Sequence, residues 1–149
     1  MSGWKRIIVA SIVACAASGT AAAFEFRSVA ETAAVLYDAP SAKAKKLYVV
    51  NRGYPLEVIV LVEGWSKVRD ANGDLTWIEN KYLAEKRTVV VKVPLAQVRD
   101  RADENAQVVF QAERDVIFEL VDVAGGGWLH VRHRDGQAGY VRVTQVWGA

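Results

Sequence analysis

Residues 64–83 read GWSKVRDANGDLTWIENKYL, and 63 positions later the chain returns to the same pattern as GWLHVRHRDGQAGYVRVTQVWG. Trp65 falls on Trp128, Val68 on Val131, Gly73 on Gly136, Trp77 on Tyr140 and Ile78 on Val141. Upstream the offset is 62, with Leu36 on Val98, Asp38 on Asp100, Tyr48 on Phe110 and Glu57 on Glu119. The extra residue enters where Gly125-Gly126-Gly127 stands against Glu63-Gly64. An offset that changes once, at a turn, marks a duplicated unit, because turns absorb insertions that strand pairing does not.

Each copy consists of short β-branched and aromatic runs separated by turn residues. In the first copy the pattern predicts strands over 33–37, 46–50, 56–62, 65–70 and 75–79. The Asn72-Gly73 turn makes the last two a hairpin, since Gly supplies the positive φ of a tight turn, and residues 80–83 close it as a turn of 3₁₀ helix. In the second copy the strands fall over 96–98, 108–110, 116–123, 128–133 and 138–142, with 145–147 as the closing tail. No stretch sustains a helical period. The expected fold is all-β: two tandem small, strongly bent barrels of five strands each, over 24–85 and 86–149. KRTVVVKV (86–93) joins them and is a strand candidate in its own right. A unit of about 60 residues buries only about 60% of its unfolded surface and is marginal alone, so the two barrels are expected to pack together through this apolar connector.

Residues 1–23 are set apart as a leader. Lys5 and Arg6 precede an apolar run over 7–17, and Ala21-Ala22-Ala23 forms a cleavage signal, the three parts of a secretory signal peptide. The run is too short to span a bilayer. Both leader cations leave with it, so the surplus of 19 basic over 17 acidic side chains becomes an even balance. The sequence pI of 8.7 is thus partly a property of the leader, and nothing in the remaining charge points to nucleic acid. The only cysteine, Cys15, also lies in the leader, so stability after processing rests on packing without a disulfide. Ile12-Val13-Ala14-Cys15 is at the same time similar to a lipoprotein processing box. The two outcomes are a periplasmic or secreted chain starting at Phe24 and a chain anchored to the membrane through a lipid on Cys15.

The hairpin stretch GWSKVRDANGDLTWIENKYL resembles the second half of an SH3 fold, specifically that of the bacterial SH3 (SH3b) domains of secreted proteins. Leu36-Tyr37-Asp38-Ala39-Pro40-Ser41 takes the place of the first-strand and loop motif of those domains, and Val98-Arg99-Asp100 with GWLHVRHRDGQAGYV repeats the match. The similarity spans roughly 26–147, nearly all of the chain after the leader. The resemblance implies a periplasmic or cell-wall-associated binding module without chemistry of its own. SH3 domains of eukaryotes hold polyproline II peptides on an aromatic groove. Here Tyr37, Trp65 and Tyr82 match groove positions, whereas Ala39 and Glu79 replace a Tyr and a Pro. In the second copy Trp128 matches, and Arg99, Arg142 and Gln145 fill the other positions. The resemblance therefore does not carry an intact polyproline groove into either copy.

Strand parity adds an independent reading. Along 65–70, Ser66 and Val68 share one face and Trp65, Lys67 and Arg69 the other; in the second copy Leu129 and Val131 oppose Trp128, His130 and Arg132. A Trp alternating with basic residues suits a peptide or carboxylate surface, and the candidate ligand-binding residues are Tyr37, Trp65, Lys67, Arg69 and Tyr82, with Trp128 and His130 as a second set. The competing expectation is a structural or assembly protein in which Trp65 and Trp128 fill the interface between barrels or with a protein partner.

Enzyme chemistry is not expected. No thiol remains after processing, and His130 and His133, three apart on a strand, point to opposite faces and cannot share a metal. Gly125-Gly126-Gly127 joins strands rather than opening a phosphate-binding helix, and Asp70 and Asp74 flank a turn, where Asp serves local hydrogen bonding. Neither metal nor cofactor is expected; the expected partner is a cell-wall peptide or an envelope protein segment. Intact-mass analysis of the processed protein should give a chain starting at Phe24 and carrying no lipid; a lipidated N-terminal Cys15 would reverse that expectation.

Overall fold

The computed structural model describes residues 25–30 and 32–149. The leader and Cys15 lie outside the described residues. The first copy contains β1 (Glu25–Val29), β2 (Ala33–Tyr37), β3 (Lys46–Asn51), β4 (Pro55–Val62), β5 (Trp65–Arg69), β6 (Leu75–Glu79) and β7 (Leu83–Ala84). The second contains β8 (Thr88–Val91), β9 (Leu95–Arg99), β10 (Val108–Glu113), β11 (Ile117–Gly125), β12 (Trp128–Arg132), β13 (Ala138–Arg142) and β14 (Val146–Trp147). A single 3₁₀ turn precedes the last strand of each copy, over Asn80–Tyr82 and Val143–Gln145. The expected all-β tandem is thus observed, with seven strands per copy where the sequence pattern predicts five.

The two sheets are antiparallel and have the same order, β3-β2-β6-β5-β4-β1-β7 and β10-β9-β13-β12-β11-β8-β14. Duplication extends to the register. Phe26 faces Glu57 and Arg27 faces Leu56; Thr88 faces Glu119 and Val89 faces Phe118. Val29 pairs with Leu83 in one sheet and Val91 with Val146 in the other. The stretch expected to be a connector is therefore the first strand of the second barrel, and β1 is its counterpart at the head of the first. β1 is hidden from pattern reading because EFRSV mixes charged and polar residues with only two large apolar ones. β8 reads TVVV and is buried at every position.

Each barrel has its own core. Val29, Leu36, Leu56, Val68 and Ile78 fill the first; Val91, Val98, Phe118, Val131 and Val141 occupy the matching places in the second. These are the alternate residues of strands with one face turned inward, as the burial of Thr76 and Ile78 between Leu75, Trp77 and Glu79 illustrates.

The barrels touch through Arg87 and Thr88 at the polar start of the expected connector and through Phe26, Trp147 and Gly148. The connector's Val89 and Val91 instead fill the core of the second barrel. The Phe26 and Trp147 rings meet edge to face at 5.1 Å, and the Arg87 guanidinium lies over Phe26 at 5.4 Å while donating to the Gly148 carbonyl at 3.0 Å. Such an aromatic pair contributes about 0.5–1.5 kcal/mol beyond its buried area. The Thr88 hydroxyl donates to the Gly53 carbonyl at 2.6 Å. Gly148 closes the contact: a Cβ there would stand 2.6 Å from the Thr88 carbonyl oxygen and 2.9 Å from Pro55 Cβ, and its φ is +122°. Trp65 and Trp128, the residues expected at the interface on the structural alternative, instead lie against their own barrels, beside Tyr37 and Arg142.

Gly148→Ala should lower the denaturation midpoint by the equivalent of about 1–3 kcal/mol, since the methyl overpacks backbone and Pro55. Gly136→Ala, with φ +92° but open space around a Cβ, should cost only about 1 kcal/mol of backbone strain. Equal losses in urea titrations of the two variants would contradict the packing account.

Candidate ligand-binding site

The β5–β6 hairpin carries the candidate residues, and Asp70 sets its turn. The Asp70 carboxylate accepts from the backbone N–H groups of Asn72 at 2.9 Å and Asp74 at 3.0 Å, an Asx-type arrangement that satisfies turn donors locally. The Tyr48 hydroxyl donates to the other Asp70 oxygen at 2.6 Å. Burial and this carboxylate push the Tyr48 phenol above its ordinary range; burial also raises Tyr54, whose hydroxyl oxygen accepts from the Ala71 N–H. In the second copy Phe110 and His133 replace Tyr48 and Asp70. There the hydrogen bond gives way to aromatic packing, with Phe118 edge-on to Phe110 at 6.0 Å and to His133 at 6.1 Å. The turn-capping role passes to Asp135, which accepts from the Gln137 N–H at 2.9 Å and is held by that bond at a pKa of about 2.

With the turn fixed, the outward face follows from register. Lys67 lies opposite Trp77 and Trp65 opposite Glu79, while Tyr37 pairs with Trp77 from β2. Tyr37 and Trp65 meet edge to face, 5.3 Å between centroids. Trp65, Lys67 and Trp77 are each half-buried, and among the described residues Lys67 enters no ion pair. Trp77 is the member of this cluster that the sequence reading missed as a site residue. Its signal is the alternation Leu75, Trp77, Glu79, which places it on the face of Trp65 once β6 is paired with β5.

The other first-copy candidates have different surroundings. Tyr37 is only 7% exposed, so it backs Trp65 rather than presenting its own ring. Arg69 is engaged by Glu57 at 2.8 Å, and Glu57 is 4% exposed; the guanidinium compensates a buried carboxylate rather than waiting for a ligand. Tyr82 packs against the first core and lies under Lys81 at 5.0 Å. Lys81 is itself drawn to Glu79 at 3.2 Å, and that hydrogen-bonded pairing raises its pKa.

The second copy turns the same positions into a closed surface. Trp128 is 6% exposed, and the Arg142 guanidinium roofs its ring at 4.5 Å, pinned by an ion pair with Glu104 and a hydrogen bond to the Gly126 carbonyl at 3.2 Å. The outward, accessible placement expected of Trp128 is corrected on this point. The physical reason is the Arg at the position that is Glu79 in the first copy, since a guanidinium stacks on a ring face and a carboxylate does not. His130 stacks on Tyr140 at 4.8 Å, nearly parallel at 17°. Arg99, where the first copy has Tyr37, donates to the Ala106 carbonyl at 2.8 Å and to Gln97 at 2.9 Å. His133 Nδ1 lies 3.0 Å from Asp135, so the two histidines have separate neighbours.

The family model described as bacterial SH3 domain matches the chain twice, over residues 30–85 and 92–148. Among solved structures, NlpC1 from Trichomonas vaginalis is similar at 14% identity and a TM-score of 0.40, over 85% of this chain and 46% of that one. An NlpC/P60 family protein from Bacillus cereus ATCC 10987 is similar at 15% identity and a TM-score of 0.38, over 82% of this chain and 55% of that one. The chain spans about half the length of these structures. No curated protein matches it.

The raised Tyr48 pKa fixes a pH dependence. The folded state favours the protonated phenol, so this contribution is fully present below the unfolded value of 10.0 and is lost as pH rises above it. Denaturation midpoints measured from pH 8 to 11.5 should fall more steeply for the parent than for Tyr48→Phe, which copies Phe110. Parallel curves would show that the Tyr48–Asp70 bond has no such role.

Proposed function

This chain belongs to the bacterial SH3 domain family through both of its repeats, and we propose that it is a non-enzymatic binding module of the cell envelope. Its ligand is an extended, peptide-like segment: a peptidoglycan stem peptide or a segment of an envelope protein. The observation that carries this reading is the half-exposed Trp65 buttressed edge-on by the buried Tyr37, with Trp77 beside it and Lys67, which enters no ion pair among the described residues. A ring held by a second ring presents a flat apolar face with little entropy left to lose on binding. An ammonium at its side supplies a charge-assisted contact for a peptide carboxylate. Glu79, in place of a groove proline and paired with Lys81, favours a ligand with polar or cationic groups over a polyproline segment. The first repeat carries the recognition, and Tyr82 and Arg69 support it by packing and charge compensation.

The chemistry of these side chains is that of contact rather than bond-making. Placement outside the cytoplasm, by cleavage after Ala23 or by anchoring at Cys15, is part of the same reading. The structural alternative is favoured for the second repeat alone, where Arg142 covers Trp128 and Tyr140 covers His130.

Purified protein should co-sediment with cell-wall sacculi, or change its Trp fluorescence with muropeptides. Trp65→Ala should weaken that binding about tenfold to thirtyfold, as for a central aromatic anchor, while shifting the unfolding midpoint little. Trp128→Ala, emptying a buried site, should instead cost about 3–5 kcal/mol of stability. A Trp65→Ala protein that loses stability on that scale and keeps its binding would overturn the assignment. Absence of binding to both sacculi and muropeptides would eliminate the stem-peptide ligand and leave only the envelope-protein segment.

A further inference from the structure

A concavity of about 890 Å³ lies between the barrels, bounded by the Asn51–Gly53 turn of the first and by β8, β11 and β12 of the second. A comparison of the two repeats gives it a chemical character. Register places Phe26, Glu57 and Arg69 in one cross-strand row of the first sheet and Thr88, Glu119 and Arg132 in the matching row of the second. In the first row Arg69 is bonded to the buried Glu57 at 2.8 Å, and Phe26 is covered by Trp147. In the second row the carboxylate is taken elsewhere: Lys86 Nζ holds Glu119 at 3.1 Å. Thr88 is spent on the Gly53 carbonyl. Arg132, the duplicate of a salt-bridged arginine, is left facing the groove without an ion-pair partner among the described residues.

Two more guanidinium groups line the same space, Arg52 from the first barrel and Arg134 from the second, and they too form no ion pair among the described residues. Against them stand Asp115 and the already neutralised Glu119. Three arginines supplied by both barrels line one concavity, and a guanidinium suits an oxyanion because it binds one bidentately. Clefts at domain interfaces are the usual place for such sites.

We propose that the inter-barrel groove is a second binding site, specific for a carboxylate or phosphate oxyanion, with Arg132 as its central ligand and Arg52 and Arg134 flanking it. The site is separate from the Trp65 face and stands or falls independently of it. It requires both barrels in their observed arrangement, because Arg52 reaches the groove from the first and Arg132 from the second.

The test is calorimetric titration of the two-repeat protein at low salt with pyrophosphate, for the phosphate source, and with tricarballylate, for the carboxylate source. At least one should bind, and the tighter of the two identifies the group. Arg132→Gln should weaken that binding about tenfold, the effect of losing one charge-assisted contact, and Arg52→Gln should weaken it as well. Arg101→Gln, which removes an exposed arginine outside the groove, should leave it unchanged. Circular dichroism melts of each variant separate loss of binding from loss of fold, and Arg132→Lys, which keeps charge without the fork, should restore binding only in part. No heat with either anion, or equal loss in Arg101→Gln and Arg132→Gln, would overturn the proposal.

Discussion

Both barrels depend on one arrangement: the first strand of each repeat lies between the long β4 or β11 on one side and the short final strand on the other. β1 is paired by β4 and β7, and β8 by β11 and β14. A strand paired on both sides leaves few backbone groups unsatisfied, and here it also ties the two ends of a repeat together. Without that pairing a sheet of this size would expose the inner edge of β4 or β11 and with it the core lined by Leu56 or Phe118. This double pairing is also why a unit of about 60 residues, marginal on its own account, can hold a core as small as the three valines, two leucines, isoleucine and alanine of the first repeat.

Duplication of the backbone did not bring duplication of the surface. Where the chain needs the same fold it keeps Val68 and Val131, Ile78 and Val141, Gly73 and Gly136. On the outward face it exchanges Tyr37 for Arg99, Lys67 for His130 and Glu79 for Arg142. Each replacement has a partner within its own barrel: Arg99 bonds a loop carbonyl, His130 stacks on Tyr140, and Arg142 covers Trp128. The first repeat keeps an accessible aromatic face, and the second spends its equivalent residues on itself.

Much of this was legible in the sequence because period-2 burial and turn glycines are local signals. The hairpin, the two-copy layout and the inward Val68 and Val131 all follow from spacing alone. β1 was not legible, because EFRSV has no alternation strong enough to mark a strand; its identity emerges only from register with β8. The fate of each outward residue was not legible either. Trp65 and Trp128 occupy the same parity position, and what separates them is a cross-strand neighbour, Glu79 in one case and Arg142 in the other. Arg69 and Arg132 likewise read alike until Lys86, distant in sequence from Glu119, is seen to take the carboxylate. Parity assigns a face; only tertiary pairing assigns a partner.

The edge-on meeting of Phe26 and Trp147 joins the first described strand to the last. A contact between residues so far apart in sequence closes a long loop in the unfolded chain but a short one once each barrel has brought its own ends together. Each barrel can assemble from its own segment, with its own ends paired, before the ring–ring contact docks one on the other. The two ends of the described chain consequently meet at a single spot, on the seam between the barrels. Cutting the short stretch between β7 and β8 and joining Glu25 to the residues after Trp147 through a flexible loop would leave both sheets with their strand order unchanged.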